Sequence, residues 1–426
     1  MREMKDSGIK WIGEIPVGWK ILRNKNAFTY SKELVGEKSS ETQLLSLTTK
    51  GVRKKDINNA EGKLPESFDT YQYVKENDII MCLFDLDCSA VFSGISFYDG
   101  MISPAYRVLT CTDRTFPKYA GYWFNYISHD RKFNHYSKNI RYTLSYEEFS
   151  ALPIVVPPYE EQHRISTYLD TKCEKIDSII ARQQEVIEKL KTYKLSVITE
   201  AVTKGLNPDV RMKDSEIRFV DSIPEQWENR KMLSILSMRV VDGPHESPEL
   251  IDEGIPYISA TAIENGKINF ELMRGYISEE YCNLCDLRYK PQKNDILIIK
   301  LGASTGQVAM VETDERFNIW VPLAAVRCNE QAVPRFVYYA FQSDYFIKQM
   351  ELSWTFGTQQ TLGVKTIERL RIIVPNVDEQ QQIADYLDKK CSAIDSAIAK
   401  KQAIIEKLTA YKKSLIYEVV TGKREV

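Results

Sequence analysis

PPYEEQHRISTYLDTKCEKIDSIIARQQEVIEKLKTYKLSVITEAVT, residues 157–203, returns as PNVDEQQQIADYLDKKCSAIDSAIAKKQAIIEKLTAYKKSLIYEVVT at residues 375–421, without a gap. Of the 47 positions, 26 are identical, among them Glu161/Glu379, Gln162/Gln380, Asp170/Asp388, Cys173/Cys391, Asp177/Asp395 and Tyr193/Tyr411. Self-similarity of this length means that the chain is two copies of one unit, and the fold has to be read as a repeat.

Each copy reads as a long helix. Leu169, Ile176, Leu190 and Val197 share one heptad position with Gln183, and Ile179, Ile180, Val186, Ile187 and Tyr193 fall on the neighbouring positions. The second copy answers with Leu387, Ile394, Leu408 and Leu415 around Lys401, joined by Ile398, Ile404, Ile405 and Tyr411. Acidic residues at the starts suit the positive end of a helix dipole, and Gly205 and Gly422 lie just past the ends. Forty residues at 1.5 Å make a rod of about 60 Å. Such a stripe needs a partner, and the simplest is the other copy, packed antiparallel as a coiled coil; unrelated cores or outside proteins are the alternative. Gln183 and Lys401 at an otherwise apolar position either fix the register or mark a solvated break.

A second echo opens each half. Asp6-Ser7-Gly8-Ile9-Lys10-Trp11-Ile12, then Ile15-Pro16 and Trp19, corresponds to Asp214-Ser215-Glu216-Ile217-Arg218-Phe219-Val220, then Ile223-Pro224 and Trp227. Between head and helix only a skeleton is shared: Asn77-Asp78 with Asn294-Asp295, Pro117 with Pro334, Thr143-Leu144 with Thr361-Leu362. These interiors are β-branched and aromatic runs broken by turns, with a short helix expected from Pro117 to Ser128 and another from Pro334 to Ser343. The expectation is an α+β chain in four segments: mixed modules at 1–156 and 209–374, each followed by a long helix, at 157–208 and 375–426.

With 43% hydrophobic and 27% charged residues, 19 glycines and 16 prolines, the 426 residues have a globular composition, which excludes collagen-like and disordered classes. No apolar run suits a membrane span or a secretory signal, so a cytoplasmic protein with reduced thiols and no membrane association is expected. Cys282 and Cys285 have metal-ligand spacing but lack a second ligand pair, so no metal is expected. No dinucleotide, Walker or zinc-hydrolase motif occurs. Val156-Pro157-Pro158-Tyr159 resembles an adenine-methyltransferase loop, but Val156 cannot hydrogen-bond a base, and a strand-to-helix corner explains it better. The net charge of −2 argues against a strongly basic nucleic-acid binder. Local clusters nevertheless stand out. Lys50, Arg53, Lys54 and Lys55 form one; Arg131, Lys132, Lys138, Arg141 and Tyr142 before Thr143 form another. In the second half the corresponding segments are polar: Lys300 leads into Ser304, Thr305 and Gln307, and Thr358, Gln359 and Gln360 precede Leu362. Such residues suit phosphate positioning and base-edge readout. Solvated loops and tight turns are the alternative.

The heads with Ile15-Pro16 and Trp19, the Val-Pro corner before Glu161-Gln162 and Glu379-Gln380, and the helices ending in Tyr193-Lys194 and Tyr411-Lys412 resemble the specificity subunit of type I restriction-modification systems. The resemblance covers essentially the whole chain. It implies two target recognition domains, each reading one half of a split asymmetric site in double-stranded DNA, separated by two long antiparallel helices that act as a ruler and dock two modification (methyltransferase) subunits. It implies no catalysis in this chain: S-adenosylmethionine, ATP and Mg2+ belong to the modification and restriction/translocase partners. Carried over by position, Asp242-Gly243-Pro244-His245 resembles a loop found early in these domains. Lys50, Arg53, Lys54, Lys55, Lys138, Arg141, Tyr142, Thr143, His245, Lys300, Ser304, Thr305, Gln307, Thr358, Gln359 and Gln360 become the DNA-binding candidates. Leu169, Ile176, Gln183, Leu190, Leu387, Ile394, Lys401 and Leu408 become the helix-packing set. A coiled-coil protein-binding scaffold without a DNA role is the competing reading.

Overall fold

The structure, a computed structural model, describes residues 2–30, 32–49, 51–56, 65–86, 92–129, 132–136, 142–356 and 359–426. The chain divides into two compact units. The first comprises Met1–Gln184 with Ala403–Val426, and the second Glu185–Gln402. Each of the two long helices therefore contributes one half to each unit.

In the first unit, a hairpin of Met4–Asp6 and Glu14–Pro16 buries Ile9, Ile12, Ile15 and Trp19. Behind it stands an antiparallel sheet of β1 (Phe28–Tyr30), β2 (Ile79–Met81), β3 (Ser93–Ile95) and β4 (Arg107–Cys111), in the order β1-β4-β2-β3. The central strand β2 is apolar at every position because both faces are covered. It is launched by a turn in which Asn77 takes φ +74°, and Asp78 accepts hydrogen bonds from the Lys75 amide at 2.8 Å and the Thr110 hydroxyl at 2.7 Å. Helix α1 (Pro117–His129) covers the sheet with Tyr119, Trp123, Phe124 and Ile127 buried. Pro153–Val156 then pairs with Lys20–Arg23, returning the chain to its head before α2 (Tyr159–Lys204) begins. Val156-Pro157-Pro158-Tyr159 is thus a strand-to-helix corner.

The second unit repeats the plan. Its hairpin is Met212–Ile217 with Val220–Pro224. Its sheet is β5 (Val241–Asp242), β6 (Ile296–Ile299), β7 (Val308–Met310) and β8 (Leu323–Val326), in the order β5-β8-β6-β7, again antiparallel. Asn294 takes φ +73°, and Asp295 accepts from the Arg327 guanidinium, the Tyr289 hydroxyl and the Gln292 amide. The lateral additions of this unit are a three-stranded sheet of Ile255–Ile258, Gly275–Ile277 and Asn318–Ile319, and helix α3 (Glu279–Arg288), N-capped by Ser278. Helix α4 (Pro334–Phe341) corresponds to α1, Arg371–Val374 closes on Glu228–Lys231, and α5 (Val377–Val420) follows.

The repeated Glu-Gln pair has a structural cause in both units. Glu161 accepts from the Trp19 indole at 3.1 Å, and Glu379 accepts from that of Trp227 at 2.9 Å, so the carboxylate locks the head onto the helix start. Gln162, fully buried, accepts from the Phe116 amide and donates to the Arg114 and Pro157 carbonyls. Gln380 does the same with the Val333 amide and the Gln331 and Pro375 carbonyls. One side chain therefore satisfies three backbone groups that no strand or helix ladder pairs. About two turns further on, Asp170 accepts from Tyr122, and Asp388 accepts from Tyr339.

Within the first unit, the N-terminal half of α2 lies antiparallel to the C-terminal half of α5, with Leu169, Cys173 and Ile176 in one core with Leu415, Ile416 and Val419. Lys412 bridges Asp177 at 2.7 Å. In the second unit Ile383, Leu387 and Cys391 share a core with Val197, Ile198 and Ala201, and Lys194 bridges Asp395 at 2.7 Å. These are the same ion pair with the copies exchanged. Leu190 and Leu408 are half-buried, as are Gln183 and Lys401; the Gln183 side-chain oxygen is enclosed without a hydrogen bond. The seam is narrower than the sequence stripe suggested. Ile179, Val186, Tyr193, Ile404 and Tyr411 are exposed, because a helix pair covers only its facing heptad positions.

Candidate nucleic-acid interface

In the second unit, β5 ends at Asp242, β6 ends beside Lys300, and β8 begins at Leu323. Antiparallel pairing places all three at one edge of the sheet. The loops that leave this edge are tied together by backbone hydrogen bonds. The Leu362 amide reaches the Lys300 carbonyl at 2.8 Å, the Gly302 amide reaches that of Gln360 at 3.1 Å, and the Val321 amide reaches that of Pro244 at 3.2 Å. Gly302 and Gly306 take φ +94° and +96°, a conformation that favours glycine and lets the loop between them turn back to β7. Gly243 lies so close to Ile319 and Trp320 that a Cβ would fall 2.3 Å from a backbone oxygen.

Beneath these loops lies one buried carboxylate. Asp242 takes the Lys300 ammonium at 2.8 Å, the Arg288 guanidinium from the end of α3, and the His245 imidazole at 3.3 Å. Burial by itself would raise the Asp242 carboxyl; the hydrogen bond and charge of Lys300, with Arg288 and His245, outweigh it and hold the group below its ordinary value.

Two of the expected DNA-binding residues are already engaged inside the chain. Lys300, read as a DNA-binding cation, has a side chain only 8% exposed and committed to Asp242, because a carboxylate buried at a strand end demands a partner. Thr305, read as a base reader, is buried, and its hydroxyl donates to the Gly302 carbonyl at 2.7 Å, closing its own loop. Ser304, Gln307, Gln359 and His245 are exposed, and Gln360 is half-buried; Thr358 lies outside the described residues. Arg288 was missed, since a single arginine at a helix end carries no motif.

The corresponding edge of the first unit keeps the frame and changes the chemistry. The Leu144 amide reaches the Leu83 carbonyl at 2.8 Å, as Leu362 reaches Lys300, which explains the shared Thr-Leu step. Among the described residues, aromatic rings together with Arg107 stand where the second unit has the Asp242 ion cluster. The Tyr30 and Tyr146 rings are 4.8 Å apart, Arg107 sits over Tyr30, and Phe84 meets Tyr106 at 6.0 Å. Tyr142 is exposed with φ +46°, and Thr143 is half-buried. Arg53 and Lys54 are exposed on the hairpin of Leu45–Thr48 and Gly51–Lys54, with the Lys54 ammonium over the Tyr98 ring at 4.9 Å, and Lys55 is half-buried. Lys50, Arg131, Lys138 and Arg141 lie outside the described residues. Cys282 and Cys285 face the interior of the second unit, where burial raises both thiols, Cys285 to about 11. Among the described residues no group of three or more His, Cys, Asp or Glu side chains is disposed to hold a metal, and no helix is long and apolar enough to cross a membrane.

Doubled frames of this kind, with helix pairs held by a repeated seam, define a class of protein. A solved structure described as the structural basis of complex assembly and conformational transition of the type I R-M system superposes with a TM-score of 0.68 at 13% identity, over 96% of this chain and 99% of that one. The HsdS subunit from Thermoanaerobacter tengcongensis gives 0.50 at 14% identity, over 98% and 100%. In sequence, residues 224–409 match the family described as the Type I restriction modification DNA specificity domain. The EcoBI specificity subunit of Escherichia coli is 26% identical over 63% of this chain and 57% of its own length. The MjaVIII specificity subunit of Methanocaldococcus jannaschii is 24% identical over 65% and 63%. The matches span less than two thirds of these curated relatives. Residues 224–409 thus match the type I specificity-domain model, and the chain is similar over about two thirds of its length to type I restriction enzyme specificity subunits.

Proposed function

We propose that this chain is the sequence-recognition subunit of a type I restriction-modification complex, with each unit reading one half of a bipartite DNA site. The observation that carries this is the contrast between the two sheet edges. Among the described residues, two frames with the same strand order present different chemistry at the same place, one built on an ion cluster and polar loops, the other on aromatic rings with Arg107, as two readers of different half-sites require.

The exposed heptad row supports the partner side of the reading. The first unit presents Ile404 and Tyr411, and the second presents Val186 and Tyr193, which are the matching positions of the repeat; Ile179 extends the row in the first unit, where the other copy has Ala397. Two equivalent apolar surfaces suit two copies of one partner, which we assign to the modification subunit. That subunit would supply methyl transfer with S-adenosylmethionine, and the restriction/translocase subunits would supply ATP- and Mg2+-dependent steps. No residue of this chain is assigned a catalytic role. The scaffold reading gives no reason for the contrast between the two edges. Single-molecule methylation sequencing of host DNA, with the chain present and deleted, tests the proposal. Loss of one split, asymmetric N6-methyladenine motif on deletion is expected; an unchanged methylome with the modification subunit expressed would refute it.

A further inference from the structure

We infer that Arg288 and His245, positioned by Asp242, form a clamp for a single backbone phosphate of the half-site read by the second unit. The inference rests on the DNA-recognition reading above and names a site and a ligand chemistry within it.

The argument begins with charge balance. One carboxylate, 9% exposed, receives three donors: an ammonium, a guanidinium and an imidazole. Lys300 is buried and neutralises Asp242 from below. The Arg288 side chain is 50% exposed and that of His245 is 69% exposed, so both reach solvent while one contact of each is held by the carboxylate. Positive charge therefore exceeds negative at the carboxylate, and the excess faces outward.

Geometry then selects the ligand. A guanidinium with one face held by Asp242 keeps its other N–H donors in a fixed fork, which matches two oxygens of a phosphate. Phosphate contacts set the register of a protein on the duplex and carry no sequence information. The base-edge donors lie beside the clamp, on the loop of Ser304 and Gln307 and at Gln359, all exposed. Asp242 acts only through Arg288, His245 and Lys300, so it is a positioning residue.

The test uses the full chain assembled with its modification subunits and a duplex carrying the methylated motif, with affinity measured against salt. Each phosphate contact contributes about 0.9 to the slope of log affinity against log salt. R288A is expected to reduce the slope by about that amount and to leave the methylated motif unchanged, and R288K to restore most of it. R288A/H245A should lose no more slope than R288A, because both side chains serve one phosphate. D242N separates positioning from simple charge. It makes the site more positive, so a diffuse basic patch would bind more tightly, whereas a clamp that has lost its anchor binds more weakly. R288A and H245A remove solvent-reaching side chains and carry the test even if D242N folds poorly. An unchanged slope in R288A, or a relaxed base in its motif, would overturn the clamp while leaving DNA recognition intact. A wild-type complex with no sequence-specific binding would overturn both.

Discussion

Replacing Gln380 with alanine tests whether the repeated Glu-Gln pair is structural in the way its contacts indicate. The substitution leaves the Val333 amide and the Gln331 and Pro375 carbonyls without their partner, in a place where the Gln380 side chain is fully buried. An orphaned buried polar group costs about 1–3 kcal/mol. Two of the three bonds are part-buried, so the low end applies to each and the loss is at most about 3 kcal/mol. For a body of this size each kcal/mol lowers the midpoint by about 2–4 °C, so the second unit should melt at most about 6–12 °C earlier. The chain has two units, so a single global transition is not assumed. Hydrogen exchange resolved by segment is the decisive assay. The Val333 amide should exchange at least about tenfold faster, while the Phe116 amide, held by Gln162, is unaffected; Q162A should reverse the pattern. Gln381, exposed one position further on, is the control, and Q381A should change stability by no more than about 0.5 kcal/mol. A Q380A chain with a wild-type melting profile and unchanged Val333 exchange would refute the reasoning.

Gly422 ends α5 at φ +73°, and a Cβ there would fall 2.3 Å from Pro16, whereas Gly8 at φ +62° meets nothing within 4 Å. G422A should therefore destabilise the first unit by about 2–4 kcal/mol and G8A by about 1 kcal/mol, read by chemical unfolding; equal effects would remove close packing as the cause. The Asp177–Lys412 pair is partly exposed, so a double-mutant cycle with D177A and K412A should give a coupling of only about 0.2–1 kcal/mol, and a coupling near zero would make the bridge incidental. Asp242 has a folded-state value below its unfolded one, so its contribution to stability is present above the ordinary carboxylate value of about 3.9 and is lost as pH falls through the depressed folded value. Acid unfolding of the second unit should accordingly show a smaller pH dependence in D242N; an identical acid limb would show that the carboxylate is not held low.

The first unit and the second share a frame but not an edge, and this difference separates what was legible in the sequence from what was not. The long helices, the strands beside Asn77-Asp78 and Asn294-Asp295 and the doubled plan follow from local periodicity and from the repeat itself. Helical and strand patterns are written into neighbouring residues, and a copied segment displays them twice. Glu161-Gln162 and Glu379-Gln380 could be recognised as signatures but not explained, since Trp19, Phe116, Trp227 and Val333 come to them from distant segments. The ion cluster was less visible still. Asp242, Arg288 and Lys300 meet only because β5, β6 and β8 pair in one register and α3 ends beside them. Lys300, next to a glycine-rich turn, therefore looked like a surface cation until the strand pairing set it against a buried carboxylate. By itself the sequence determined that there are two copies, where their helices run and which heptad positions are apolar, because those properties depend on residues a few positions apart. Tertiary structure alone decided which charged side chains are spent on one another and which remain outward for a ligand, because desolvation and ion pairing depend on distances between residues far apart in the chain.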